Sequence, residues 1–452
     1  MTLLVISPDY ASHLLPLATL ATAWRDAGER VVVATGSATT GIVRSFGYEH
    51  THLQLGRGSN PGVIRAEDQP KGEDDALRGF FAATRVGMVE TLRFQAEARL
   101  SDLMWEPVQA ARATQEVVAA LRPDRILVDH LAFSARLGLT AAGVPYGDVV
   151  LGHPSALPLP GSGEVYGFPP AWPAAFHPDA DELARLRELC ERVDRSFTAE
   201  WNAALAELDP SAPPSASAFE EHGETVLLNY SVELADERRR AAYGPAAFLG
   251  SAVREENGPD VDTVIEWIAA SDVPIVYVSF GSFLSVRDDV LARVVEALRD
   301  LSSSGSAVRV ALAVGSADVS TLGSLPEEWL VREFLPQVTL LGAAAAAVTH
   351  GGNNSVTEAM TAGVPLLVLP FSTDQFAGAA ALEEAGLARA LDPNAAAPSE
   401  LRAALADVLA LPAGARARLA ALAASLRDRP GPARARAALL RAPSTPTGDV
   451  RP

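Results

Sequence analysis

Ala347-Val348-Thr349-His350-Gly351-Gly352-Asn353-Asn354-Ser355-Val356-Thr357-Glu358-Ala359-Met360-Thr361-Ala362-Gly363-Val364-Pro365 reads as a buried strand, a glycine turn and a helix in one unbroken stretch. The apolar run stops at His350, the glycines turn the chain, and Asn354 with Ser355 stand where the helix should start. The first N–H groups of a helix have no intrahelical acceptor and lie at the positive end of its dipole, so an anion is favoured there. Taken alone, the stretch is equally a plain turn with an Asn or Ser cap. In both readings it is one strand–helix unit of a parallel sheet, and the rest of the chain repeats that unit.

Working outward, the second half of the chain reads as strands over 275–280, 308–314, 344–349 and 366–369, with helices over 289–301 and 354–362. The first half carries the same alternation: strands over 3–6, 31–34, 125–128, 144–151 and 225–228, and helices over 14–27, 86–121 with breaks, 132–142 and 181–208. Glycine-, proline- and charge-rich stretches at 56–75 and 152–178 read as long loops, which in compact domains are often functional. A polar stretch from Phe248 to Asp260 reads as a linker. The expected fold class is α/β, with two doubly wound parallel sheets. One domain is expected over 1–245, a second over 246–425, and a helix with a fraying tail over 426–452.

Composition narrows the function. The 452 residues exceed a single core, which usually holds about 100 to 200. With 37 Lys and Arg against 56 Asp and Glu, the net charge of −19 repels a phosphate backbone, so no nucleic-acid partner is expected. A single cysteine, Cys190, rules out an intrachain disulfide and any multi-cysteine metal site, and it fits a reducing compartment, the cytoplasm by default. No apolar run approaches the ~18 residues of a membrane span, and the N-terminus lacks the pattern of a signal peptide.

Ligands of such sheets bind beyond the carboxyl ends of the strands, so strand-exit residues are the candidates. Asp374 and Gln375 leave one strand as a carboxylate and an amide suited to paired sugar hydroxyls, or as a cap and a solvated neighbour. Glu358, one turn beyond Asn354, can reach a ribose hydroxyl or face solvent. Ser282 follows a strand and a glycine and can equally be a cap. In the first half His13 follows the first strand and Asp129 ends another, which is the pairing a general base needs: the carboxylate orients the imidazole and stabilises its protonated form. Each is individually open to a structural role, and His130 and His153 are rival bases. No dinucleotide fingerprint, Walker loop, nucleophile elbow or His-Glu-x-x-His motif is present.

Together these pieces resemble the family 1 nucleotide-sugar-dependent glycosyltransferases, the UDP-glycosyltransferase superfamily with the GT-B fold and of bacterial natural-product type. The resemblance rests on Val226-Leu-Leu-Asn-Tyr-Ser-Val-Glu-Leu234, on Tyr277-Val-Ser-Phe-Gly-Ser282, and on the run from Phe334-Leu-Pro-Gln337 through His350 and Glu358 to Asp374-Gln375. It implies that His350, Gly352, Asn354 and Ser355 hold a diphosphate with Ser282 assisting, and that Glu358 takes the ribose. It further implies that Phe334 and Gln337 face the base, and that Asp374 and Gln375 bind the sugar. His13 resembles the family's base and Asp129 its partner. Phe334 replaces the usual Trp, and Asn353 replaces a Trp of plant members. The implied reaction is an inverting transfer, independent of metal or other cofactor, from a UDP-sugar, with UDP-glucose favoured, to a hydroxyl of a small hydrophobic aromatic or macrolide acceptor. Acceptor contacts are expected from Phe80, Phe81, Phe133, His153, Phe168 and Trp172, although Phe133 is equally a core residue. A dTDP-deoxysugar donor, a silent nucleotide-sugar-binding partner protein and a sugar-nucleotide epimerase are the alternatives.

Overall fold

The computed structural model describes residues 1–62, 73–101, 103–303 and 307–441, with the backbone alone at 73, 74, 101, 282 and 283. The first sheet contains β1 (Thr2–Ile6), β2 (Arg30–Thr35), β3 (Glu49–His52), β4 (Arg125–Asp129), β5 (Gly147–Val150) and β6 (Thr225–Leu228). The second contains β7 (Ile275–Ser279), β8 (Arg309–Ala313), β9 (Leu330–Arg332), β10 (Ala344–Thr349), β11 (Leu366–Val368) and β12 (Ala388–Ala390). Their orders, β3-β2-β1-β4-β5-β6 and β12-β11-β10-β7-β8-β9, are the same topology twice, and every pairing is parallel. The α/β expectation of two doubly wound sheets therefore holds.

Burial on both faces explains why the inner strands are continuous apolar runs such as Leu3 to Ile6, none of which is exposed. β10 is built largely from alanine, a poor strand former. Tertiary packing overrides that preference, since Ala346 and Ala347 are buried in different core clusters on the two faces.

The structure corrects several expected boundaries. Three strands, β3, β9 and β12, escaped the sequence reading. A helix that the sequence reading missed, Glu73–Val86, precedes the two that fill the expected 86–121 stretch, Met88–Ser101 and Pro107–Leu121. The missed helix begins inside the stretch expected to be a loop, of which 63–72 lies outside the described residues, as does the tail from 442 onward. Among the described residues, no single helix is long and apolar enough to cross a membrane.

Two contacts tie the halves together away from the cleft. Helix Glu73–Val86 inserts Leu77, Phe80 and Phe81 into a core cluster otherwise formed by the second sheet and its helices, and Arg287 Nη1 and Asn394 Nδ2 donate to Thr84 O at 2.8 and 3.0 Å. At the other end, helix Gly431–Arg441 returns to the first sheet. There Arg436 Nη2 donates to Glu29 Oε1 at 2.8 Å, and Arg125 Nε donates to Leu439 O at 3.0 Å.

Gly147 makes that return possible, because a Cβ on it would lie 2.4 Å from Leu439 Cδ1 and 3.2 Å from Leu127 Cδ2. Gly147→Val should therefore destabilise the protein by about 1–3 kcal/mol through overpacking. Thermal unfolding should show a lowered Tm, and trimming the neighbour with Leu439→Ala in the same chain should recover part of the loss.

Candidate active site

His13 lies in the first turn of helix Ala11–Arg25, just after β1, and Asp129 is the last residue of β4. β1 and β4 are hydrogen-bonded neighbours, so these two exits meet. His13 Nδ1 donates to Asp129 Oδ2 at 2.7 Å, and Asp129 Oδ1 accepts the Leu131 amide at 2.8 Å. Both carboxylate oxygens are thereby fixed, and the ring is left with Nε2 as its basic nitrogen. The His13 side chain is 27% exposed and that of Asp129 only 1%. Burial pulls the His13 pKa down, but the charge of Asp129, the hydrogen bond to it and the charge of Asp374 outweigh burial and leave it above the ordinary 6.5.

The rival bases are held neutral. Burial and then the Arg136 charge press His130 below its ordinary value, and its Nδ1 lies 3.0 Å from Asp148 Oδ1 in a buried network. Burial, followed by Arg239, brings His153 down to about 3, with its Nδ1 accepting the Ser155 amide at 3.2 Å.

In the second domain His350 follows β10 and is slotted between two glycines. A Cβ on Gly352 would lie 2.4 Å from His350 Nε2, and one on Gly281 2.8 Å from Cε1. Among the described residues, His350 Nδ1 is buried without a hydrogen-bond partner, and burial lowers the ring to about 4, so it is neutral. Beside it starts helix Asn353–Ala362, whose cap is Gly352 with no side-chain hydrogen bond. The Asn or Ser cap considered from the sequence is therefore not formed, and Asn354 instead sends Nδ2 to Ser12 O, 2.9 Å away and next to His13. The Ser282 side chain lies outside the described residues.

Glu358 is buried and takes Arg254 Nη1 at 2.6 Å on one oxygen and Gln337 Nε2 at 2.5 Å on the other. Burial raises its pKa and Arg254 opposes the rise. Gln337 also accepts from Tyr277 Oη at 3.3 Å and approaches Ser355 Oγ at 3.3 Å. Arg254 and Glu256 were missed in the sequence, where they fell inside the polar linker. Glu256 in turn accepts the Thr339 amide and hydroxyl, both at 3.0 Å, so this segment is built into the site rather than merely joining domains. Phe334, three residues before Gln337, has 59% of its surface exposed.

Asp374 caps no helix amide with its side chain, and its Oδ2 accepts the His153 amide at 2.9 Å from the first domain. The preceding Thr373 adopts φ 37°, a strained value for a β-branched residue and one found mostly at functional turns. Gln375 departs from its expected role in part: Oε1 accepts the Phe371 and Ser372 amides at 2.9 and 3.2 Å, so its carbonyl shapes the turn.

The acceptor contacts need correction. Phe133 is 6% exposed and packs with Phe197, Phe219 and Tyr166 at 4.9, 5.8 and 6.4 Å between ring centres, so it is a core residue. Phe80 and Phe81 are likewise consumed in the contact with the second domain. Phe168 and Trp172 remain half-buried on the long loop, with Arg187 stacked 5.4 Å from the Phe168 ring centre. Among the described residues, no three His, Cys, Asp or Glu side chains converge as metal ligands.

Comparison with known proteins bears on this geometry. Residues 240–432 match the UDP-glucoronosyl and UDP-glucosyl transferase family. An NDP-glycosyltransferase of Bacillus licheniformis is 30% identical over 41% of this chain and 41% of its own, so the match spans well under two thirds of that relative. A zeaxanthin glucosyltransferase of Pseudescherichia vulneris is 24% identical over 85% of this chain and 84% of its own. Among solved structures, a spinosyn rhamnosyltransferase complexed with thymidine diphosphate superposes with a TM-score of 0.64 at 19% identity, covering 98% of this chain and 99% of its own. The last likeness establishes the shared two-domain fold, and residues 240–432, which hold most of the second domain, are similar in sequence to the UDP-glucoronosyl and UDP-glucosyl transferase family.

Proposed function

We propose that the protein is an inverting glycosyltransferase that moves a sugar from a nucleotide-sugar to a hydroxyl of a small hydrophobic acceptor, with UDP-glucose as the preferred donor. One observation carries this reading: an Asp-oriented imidazole, whose Nε2 is left as its basic nitrogen, sits near Asp374 and beside the start of helix Asn353–Ala362. The acceptor oxygen attacks the anomeric carbon while His13 Nε2 takes its proton. The bond from that carbon to the β-phosphate oxygen breaks, and its electron pair leaves with the diphosphate. No metal is required in this reading, since the departing charge falls to the helix-start amides and to His350, whose neutral ring can donate one hydrogen bond. The orphaned Nδ1 of His350 supports that role, because a buried polar atom without a partner is uncommon in a native fold.

A dTDP-deoxysugar donor is the second reading. It gains from the engagement of Gln375 Oε1 with backbone amides, which leaves fewer groups to satisfy a hydroxyl-rich sugar. Mass spectrometry of products from a panel of UDP- and dTDP-sugars with aromatic and macrolide acceptors tests both. UDP-glucose transfer is expected, exclusive use of dTDP-deoxysugars would reverse the donor choice, and no transfer from any donor would reject the enzyme.

His13→Ala should lower turnover by at least about a hundredfold while donor affinity, read by calorimetry, stays near its original value. The pH profile adds a second check. A base works unprotonated, so kcat/KM should rise with pH through a pKa above 6.5 and then level. Asp129→Asn removes the charge that raises that pKa, so the acid limb should move to lower pH while the plateau drops by about tenfold or more. An acid limb unmoved by the substitution would remove Asp129 from the dyad.

A further inference from the structure

We propose that Asn353 is a positioning residue that clamps the start of the donor-side helix onto the carboxyl ends of β5 and β6, and thereby sets the distance between His13 and the diphosphate site. This rests on the glycosyltransferase reading for its catalytic consequence. The clamp itself is geometric.

Asn353 is the first residue of helix Asn353–Ala362. Its Nδ2 donates to Leu151 O at 2.6 Å and to Asn229 O at 2.7 Å, both in the first domain. β5 and β6 are paired through Val150 and Leu228, so these carbonyls stand one residue beyond the last pair, on adjacent strands. Strands in a sheet lie about 4.8 Å apart, a span that the two N–H bonds of one planar amide can bridge. One side chain thus satisfies two strand-exit carbonyls and joins the two sheets.

The neighbouring bonds show what the clamp controls. Asn354 Nδ2 reaches Ser12 O at 2.9 Å, one residue before His13, and Asp374 Oδ2 takes the His153 amide at 2.9 Å. Both partners belong to groups expected to exchange for ligand atoms when a donor enters. Asn353 has no such role, because its Nδ2 hydrogens are both committed to the first domain. It can therefore hold the domains in register while the other contacts are exchanged. Register matters, since about 1 Å of misplacement can cost about a hundredfold in rate.

Two substitutions and one distance test this. Asn353→Ala removes both bonds, whereas Asn353→Asp keeps the shape but puts one carboxylate oxygen, with no hydrogen to give, against both carbonyls. Turnover should fall about tenfold or more in Asn353→Ala and further in Asn353→Asp, with the donor KM within about threefold of its original value. A space-filling role would instead make Asp the milder change, and that order would overturn the proposal, as would a raised donor KM at unchanged kcat.

The second readout needs no activity. Nitroxide labels at exposed Arg44→Cys and Glu296→Cys, one in each domain, report the interdomain distance in the full chain, and buried Cys190 stays unlabelled. The distribution should be narrow in the parent and broader in both variants at a temperature well below the melting point of each. An unaltered distribution overturns the clamp. A broadened distribution in a protein that transfers no sugar from any donor keeps the clamp and rejects the catalytic consequence together with the functional reading.

Discussion

The point where strand order reverses governs where chemistry can occur in this molecule. In each sheet the chain runs outward from the central strand to one edge, returns to the strand on the other side of that centre, and runs outward again. The loops leaving the two central neighbours diverge, and a crevice opens between them. His13 follows β1 and Asp129 ends β4, while Gly281 follows β7 and His350 follows β10. The candidate base and the candidate anion site thus occupy equivalent slots of two copies of one topology. Neither needs an unusual loop to bring it there. The cleft arises because the two sheets face each other with these ends, joined by hydrogen bonds that Asn353 and Asn354 donate and one that Asp374 accepts.

Burial then assigns the charges. The histidines discussed above are separated by their surroundings: His130, His153 and His350 are pushed down, whereas His13, with a carboxylate at 2.7 Å, is pushed up. In the proposed reaction a base and a neutral hydrogen-bond donor facing an anion are different tasks, and what packs around each ring suits it to one or the other. The net charge of −19 does not oppose this, because Glu358 and Glu256 are matched by Arg254 and by amides.

Much of this was legible in the sequence, for reasons that individual residues make plain. The buried central strands announce themselves as β-branched or aliphatic runs, and strand exits follow directly from them, so His13, Asp129, His350 and Asp374 could be named without coordinates. The strands that escaped are all at sheet edges: Glu49–His52, Leu330–Arg332 and Ala388–Ala390. An edge strand is covered less completely and needs no apolar run, so Glu49-His50-Thr51-His52 carries no periodic signal. Arg254 escaped because a charged residue in a polar stretch looks like linker until the buried Glu358 that it neutralises is placed opposite. Phe80 and Phe133 misled for the converse reason, since an aromatic ring has the same composition signal in a binding wall as in a core, and only the packing partners separate the two.

The polar groups of the cleft are matched to one another across the domains, and this bears on how a donor would be chosen. Asp374 already accepts a first-domain amide, and Asn354 already donates to a first-domain carbonyl. A ligand that enters must replace these bonds, and a buried group left unmatched costs about 1–3 kcal/mol. A sugar with a hydroxyl facing Asp374 returns what the His153 amide gave up, whereas a sugar lacking it leaves the carboxylate or the amide without a partner. Under the proposed function, selectivity would come from the difference between two sets of hydrogen bonds rather than from the strength of either. Under the proposed function the sugar would be sorted at Asp374, where the first domain and the sugar would compete for one carboxylate oxygen, while Gln375 holds the turn through the Phe371 and Ser372 amides.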